Sequence, residues 1–257
     1  MSNQPVLKTE HLGIAFAGLR AVSDFNIEIY PHELVGLIGP NGAGKTTVFN
    51  LLTGVYKPTE GQIYLGGNLM ANKKPNQMVK AGIARTFQNI RLFKNLTVLE
   101  NVKVAFNQNM KYSIAAGVLR LGSYWREEAE IDSKARSILQ VFNMEDKADH
   151  IACNLPYGQQ RKLEIARALA TDAKVLLLDE PAAGMNPTET AELMSAIYTI
   201  RDKFQLSVLL IEHDMSLVMS VCERLVVIDY GQIIATGTPF EVANNPKVVA
   251  AYLGTDD

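Results

Sequence analysis

An α/β fold, a mixed β core interrupted by a mainly helical insertion, is predicted by three features of the sequence. Apolar runs of strand length recur at Leu34–Ile38, Val175–Leu178, Val208–Ile211 and Leu225–Ile228. The first of these feeds a glycine-rich loop that opens onto a helical pattern. From about Leu96 to Arg167 the character changes to helix.

Along the chain, Phe25, Ile27 and Ile29 alternate with Asn26 and Glu28, the period of a half-buried strand. Lys45–Leu52 reads as a helix stopped at Gly54. Gly61–Leu65 followed by Gly66 and Gly67 reads as a hairpin. Thr97 and Glu100 have capping-box spacing ahead of Val102 and Phe106. Ile131, Ala135, Ile138, Leu139 and Phe142 share one helical face. Asn107–Trp125, with its Gly, Ser and mixed polarity, supports no assignment. Asn186, Pro187 and Glu189 supply an N-cap, an N1 proline and an N3 acid for another helix. Tyr230 and Gly231 turn the chain into Gln232–Ala235, and Thr238–Glu241 caps a last short helix.

The chain has 257 residues, enough to bury a substantial core, and its 47% apolar and 20% charged fractions are ordinary for a globular protein. Lysine and arginine number 25 against 27 acids, so the net charge is −2 and no global basic field invites nucleic acid. No run approaches the roughly 20 apolar residues of a membrane helix, and the polar opening MSNQPVLKTE lacks a signal peptide's features. The expectation is a chain that does not span a membrane. Cys153 and Cys222 are far apart, which suits a reducing cytoplasm, and each is expected to be a buried thiol.

Gly39, Pro40, Asn41, Gly42, Ala43, Gly44, Lys45 and Thr46 fit G-x-x-x-x-G-K-[ST] between a strand and a helix. The glycines let successive backbone N–H groups face a phosphate chain, and the helix adds its positive end. Lys45 would reach the β- and γ-phosphates, and the Thr46 hydroxyl suits a Mg²⁺ coordination place. A dinucleotide loop has no use for the Lys-Thr pair. This predicts a P-loop NTPase. Farther on, the strand Val175–Leu178 delivers Asp179 and Glu180 to its end. Neighbours on a strand point to opposite sides, so the two acids need different tasks. Asp179 would hold Mg²⁺ through water, and Glu180 would polarise the attacking water as general base.

Asn154–Arg161 precedes a helix and the acidic strand, and resembles the Leu-Ser-Gly-Gly-Gln signature of ABC cassettes, with Leu155, Gly158 and Gln159 retained. With the other motifs, the resemblance covers nearly the whole chain. It implies a P-loop NTPase ABC cassette with a mixed β core, a helical signature subdomain and an antiparallel β subdomain. The core would take about residues 1–88 and 168–257, and the helical insertion about 89–167. It also implies ATP and Mg²⁺ as ligands and a composite site, in which one subunit's phosphate loop, Gly39 to Thr47, is closed by another subunit's signature. Gln88 resembles the loop glutamine that senses Mg²⁺ and the attacking water. His213 resembles the switch histidine at the γ-phosphate, and Ala183–Asn186 the inter-subunit loop. Phe16 stands where the family places an aromatic under adenine, with Val22 lining the same pocket. Two positions depart from the signature. Pro156 replaces its serine and offers neither hydroxyl nor N–H, and Tyr157 replaces its first glycine.

Arg85–Phe93, Tyr157–Arg161, Glu180–Gly184 and the tail Val249–Gly254 are similar to the ATP-binding subunits of Liv-type branched-chain amino acid importers. That resemblance implies a second ATPase subunit, two membrane permease subunits and, indirectly, a solute-binding protein, with this chain peripheral on the cytoplasmic face of the inner membrane. Leu92 and Phe93, beside Gln88, are where a membrane subunit's helix is expected to dock. Cassettes for urea uptake or lipopolysaccharide export are similar too. A soluble ABC ATPase of translation or repair usually carries paired cassettes or long coiled coils, and this chain has one cassette and no sustained heptads. A module that closes on ATP without hydrolysing it leaves Glu180 and His213 unused, and a small-molecule P-loop kinase leaves the signature unexplained.

Overall fold

The computed structural model describes residues 4–70, 72–106 and 122–253. Most of Asn107–Trp125 lies outside the described residues; a helix is present from Gly122. The chain divides into two compact units: Met1–Arg85 with Lys174–Pro181 and Arg201–Asp257, and Thr86–Ala173 with Ala182–Ile200.

The first unit holds two sheets. One is antiparallel: β1 (Leu7–Phe16), β2 (Leu19–Phe25), β3 (Glu28–Ile29), β5 (Glu60–Leu65) and β6 (Asn68–Leu69), ordered β2-β1-β5-β6 with β3 also on β1. The other contains β4 (Leu34–Ile38), β7 (Ile83–Arg85), β8 (Val175–Asp179), β9 (Ser207–Ile211), β10 (Arg224–Asp229) and β11 (Gln232–Gly237), ordered β11-β10-β4-β9-β8-β7. All its pairings are parallel except β10 with β11. β4, β8 and β9 are buried at every residue, as their unbroken aliphatic character requires of parallel strands covered on both faces. Phe25, Leu37, Phe49, Leu177, Leu209 and Ile228 belong to the core that joins both sheets to α1 (Lys45–Leu52). This unit also carries α2 (Pro75–Ala81) and α7 (Met215–Val221), α7 being capped by Asp214, whose carboxylate accepts from Leu217 N. Thr238 and Glu241 form the expected capping box on α8 (Pro239–Ala243).

The second unit is helical: α3 (Val98–Phe106), α4 (Gly122–Val141), α5 (Tyr157–Leu169) and the stretch of α6 (Pro187–Phe204) up to Ile200. Thr97 and Glu100 exchange hydrogen bonds at 2.8 and 3.1 Å, so the capping box starts α3 as expected. Asn186 and Glu189 do the same for α6. The apolar stripe of α4 is buried from Ile131 to Leu139, and Phe142 beyond its end is buried as well. Among the described residues, no helix is long and apolar enough to cross a membrane.

Three expectations are corrected. Phe25, Ile27 and Ile29 are all buried, but they do not form one strand. The chain breaks at Asn26, where Thr9 enters with its hydroxyl: Oγ1 donates to Phe25 O and accepts from Ile27 N. The helix after Thr238 is not the last, because α9 (Pro246–Leu253) follows, with Asn245 Oδ1 accepting from Lys247 N. Finally, Cys222 is buried but Cys153 is exposed, on a short turn ahead of the signature.

Candidate functional site

In the first unit, β4 ends at Ile38 and the chain loops through Gly39–Gly44 into α1. Gly39 has φ of 155°, and a Cβ there would stand 2.0 Å from Ile228 O, so only glycine fits. The loop is braced by the two-residue turn between β10 and β11. Gly231 N donates to Ala43 O at 2.9 Å, while Gly231 O accepts from Ser23 N at 2.9 Å. Tyr230 and Gly231 both have positive φ, the conformation that lets a two-residue turn follow the twist of its strands. An open depression lies on this side of the loop, bordered by Asn41, Gly42, Tyr230, Lys247 and Ala251. The tail helix α9 therefore flanks the loop.

Lys45 folds back over the loop, its ammonium donating to Gly39 O at 2.7 Å and Pro40 O at 2.9 Å. Partial burial pushes it below the ordinary lysine range, against the opposing pull of Glu180 and Asp179. Thr46 is exposed on the first turn of α1.

Asp179 closes β8, only 5% exposed, with a carboxylate oxygen 2.7 Å from Arg85 Nη2. Arg85 comes from β7, the neighbouring strand, and its other amino group donates to Asn50 Oδ1 at 2.6 Å. The guanidinium also sits 5.4 Å above the Phe49 ring. Arg85 thus ties the acid to α1, and sequence reasoning gave it no role. Its cue was a cation on a strand of otherwise apolar residues.

Glu180 departs from the expected alternation. The strand ends at Asp179, and Glu180 has φ of 46°, with its N–H donating to Ile211 O at 2.9 Å. The two acids differ because the backbone turns left-handed between them, a conformation that stores strain in a residue with a side chain. His213 lies past β9, its ring largely exposed and Nδ1 3.8 Å from the buried Glu212 carboxylate. Phe16, half exposed, meets Tyr56 edge-on with ring centroids 5.2 Å apart. Val22 is corrected: its side chain is wholly buried behind Gly44 and offers no surface to a base.

Among the described residues no group of three or more His, Cys, Asp or Glu is placed to hold a metal ion. The hard oxygens of Thr46 and Asp179 nevertheless suit Mg²⁺, which keeps most of its waters and takes one or two carboxylates beside substrate phosphates. The donor set fits that ion and no all-protein cage.

The second unit holds Gln88 and the signature. Gln88 is exposed on an irregular segment after β7. Leu155 is buried, and Pro156 is the N-cap of α5, with φ of −54° and ψ of 152°. Gln159 N and Gln160 N both donate to Pro156 O at 3.0 Å. Tyr157 is exposed, and its ring edge lies 3.4 Å from where a Cβ on Gly184 would stand. Gly158 is buried against Glu189, the N3 acid of α6. The signature and the loop Ala183–Asn186 are therefore packed on each other. Gln159 Oε1 is buried with no hydrogen-bond donor among the described residues.

Residues 22–183 match the family described as ABC transporter. The LivG protein of Escherichia coli K12, a high-affinity branched-chain amino acid transport ATP-binding protein, is 47% identical over 98% of this chain and 99% of its own. The chain belongs to the ABC transporter family. It is an ATP-binding cassette, an ATPase coupled to transport. A second match, over residues 232–257, is to the family described as branched-chain amino acid ATP-binding cassette transporter. BraF of Pseudomonas aeruginosa, also named for branched-chain amino acid transport, is 44% identical over 98% of this chain and 99% of its own. The lipopolysaccharide export protein LptB of Haemophilus influenzae is 33% identical over 97% of each. The crystal structure of the ADP conformation of MJ1267, an ATP-binding cassette of an ABC transporter, superposes with a TM-score of 0.84 at 32% identity. It covers 98% of this chain and 100% of that one.

Proposed function

We propose that this cassette energises the uptake of branched-chain amino acids, leucine, isoleucine and valine. The observation that supports it most is the 47% identity with LivG across almost the full length of both chains. The match over residues 232–257 points the same way. The relative named for lipopolysaccharide export is 33% identical, which ranks that cargo second.

In this reading the whole chain is one ATP-binding domain on the cytoplasmic face of the inner membrane. It pairs with a second cassette, two membrane permease subunits and, indirectly, a solute-binding protein. The backbone N–H groups of Gly39–Thr47, Pro40 having none, take the phosphates. Lys45 exchanges its contacts to Gly39 O and Pro40 O for β- and γ-phosphate oxygens, and Phe16 stacks under adenine. Thr46, Gln88 and, through water, Asp179 would hold Mg²⁺. When bound, that ion would supply positive charge to offset the phosphates. Glu180 orients the attacking water and takes its proton, while His213 contacts the γ-phosphate. Leu155–Gln159 closes the partner's phosphate loop. Because Pro156 lacks both hydroxyl and N–H, that contact falls to the Gly158 amide and the start of α5.

Two measurements test this. A strain lacking the subunit should lose radiolabelled leucine uptake and regain it with this chain; unimpaired uptake without it refutes the cargo. In the assembled complex, Glu180→Gln should retain ATP and stop turnover. Hydrolysis at the parental rate would refute Glu180 as the base.

A further inference from the structure

Segment 86–97, between β7 and α3, has no strand or helix, so its backbone polar groups must find other partners. Asn101, wholly buried on α3, serves the far end. Its Nδ2 donates to Phe93 O at 3.0 Å and Thr97 O at 2.9 Å, and its Oδ1 accepts from Phe93 N at 2.9 Å. Two residues of α5 serve the end that carries Gln88. Arg161 donates from Nη1 to Phe87 O at 2.5 Å and from Nη2 to Gln88 O at 2.9 Å. Glu164 Oε1 accepts from Phe87 N at 3.4 Å and Arg91 N at 3.2 Å. The two side chains pair at 2.9 Å and are 0% and 2% exposed.

A buried ion pair is a poor way to stabilise a helix contact. Desolvation consumes most of the attraction, and a well-packed apolar pair commonly does as well or better. What an apolar pair cannot do is fix the carbonyls and N–H groups of an irregular segment. The rigid fork of a guanidinium, set by its own carboxylate, does that. We propose that Arg161 and Glu164 are positioning residues for Gln88. The pair fastens the Gln88 main chain to the signature helix, so that Gln88 moves with the signature of its own subunit. A displacement of α5 caused by the partner subunit's ATP is thereby passed to the glutamine that serves this subunit's own ATP. The inference rests on the role given above to Gln88.

The test uses the chain assembled with its membrane subunits, carrying Arg161→Lys, Glu164→Gln, or Arg161→Met with Glu164→Leu. Lysine cannot bridge two carbonyls as a fork. Arg161→Lys should lower kcat by about tenfold or more and raise the Mg²⁺ concentration for half-maximal rate. ATP binding measured without Mg²⁺ should stay within about twofold of the parent. Amide exchange over residues 86–91 should speed up in the same variant. Glu164→Gln leaves one acceptor oxygen where the carboxylate serves Arg161 with one oxygen and two N–H groups with the other, so its kcat should fall between those of Arg161→Lys and the parent. The double variant should behave like Arg161→Lys. A double variant that melts with the parent and hydrolyses at the parental rate overturns the proposal, as does unchanged exchange over 86–91 in Arg161→Lys. If the double variant does not fold, Arg161→Lys decides. A parental complex without hydrolysis would sink the role of Gln88, while the exchange measurement would still read the clamp.

Discussion

Replacing Arg85 by leucine removes the guanidinium that stands 2.7 Å from the Asp179 carboxylate. The two side chains are 6% and 7% exposed, so water cannot take over the interaction. Breaking a buried pair from one side costs about 3–5 kcal/mol. The bond to Asn50 at 2.6 Å is lost as well, worth about 1 kcal/mol. Two effects oppose this: leucine preserves packing against Phe49, and the Lys45 ammonium still attracts Asp179. The net loss should lie near the lower figure, about 3 kcal/mol. For a chain of this size each kcal/mol shifts melting by about 2–4 °C, so Arg85→Leu should melt about 6–12 °C below the parent by calorimetry. Arg85→Lys, with no fork to reach Asn50 and Asp179 together, should fall between. A leucine variant melting within about 1 °C of the parent would show that the pair contributes nothing to stability.

Two further outcomes follow from the geometry. Gly39→Ala places a methyl 2.0 Å from Ile228 O, so equilibrium ATP binding should be lost; parental affinity would contradict the assigned loop conformation. Burial pushes the Cys222 thiol up to about 12, so it stays protonated at pH 8, whereas Cys153 is exposed. A maleimide should therefore modify one of the two thiols in the native chain and both after unfolding. Equal native labelling would refute the burial of Cys222.

The features legible in the sequence are those whose chemistry is local. The phosphate loop announces itself because glycines, lysine and threonine act within one turn, and Thr97–Glu100 and Asn186–Glu189 are caps whose partners lie three residues apart. The cassette fold followed from that loop, the acidic strand end and the signature. What escaped depends on distant partners. Arg85, Arg161 and Glu164 are charged residues whose burial is set by chain segments far away. The break at Asn26 comes from a threonine on another strand, and the left-handed turn at Glu180 follows from its bond to Ile211. Val22 was expected at a surface, but it faces inward beneath the loop it supports.

The phosphate loop is the most local of these motifs, yet its scaffold is assembled from the far end of the chain. β4, which carries it, is flanked by β9 and β10. Ser207 bonds to Tyr30 across 177 residues, and Arg224 to Glu33 across 191. Gly231 then laces the loop to Ser23. During synthesis, residues 39–46 leave the ribosome early, whereas the full set of contacts that braces them is complete only once residue 231 is available. The loop's bracing therefore rests on contacts of high sequence separation, the kind that form slowly in folding.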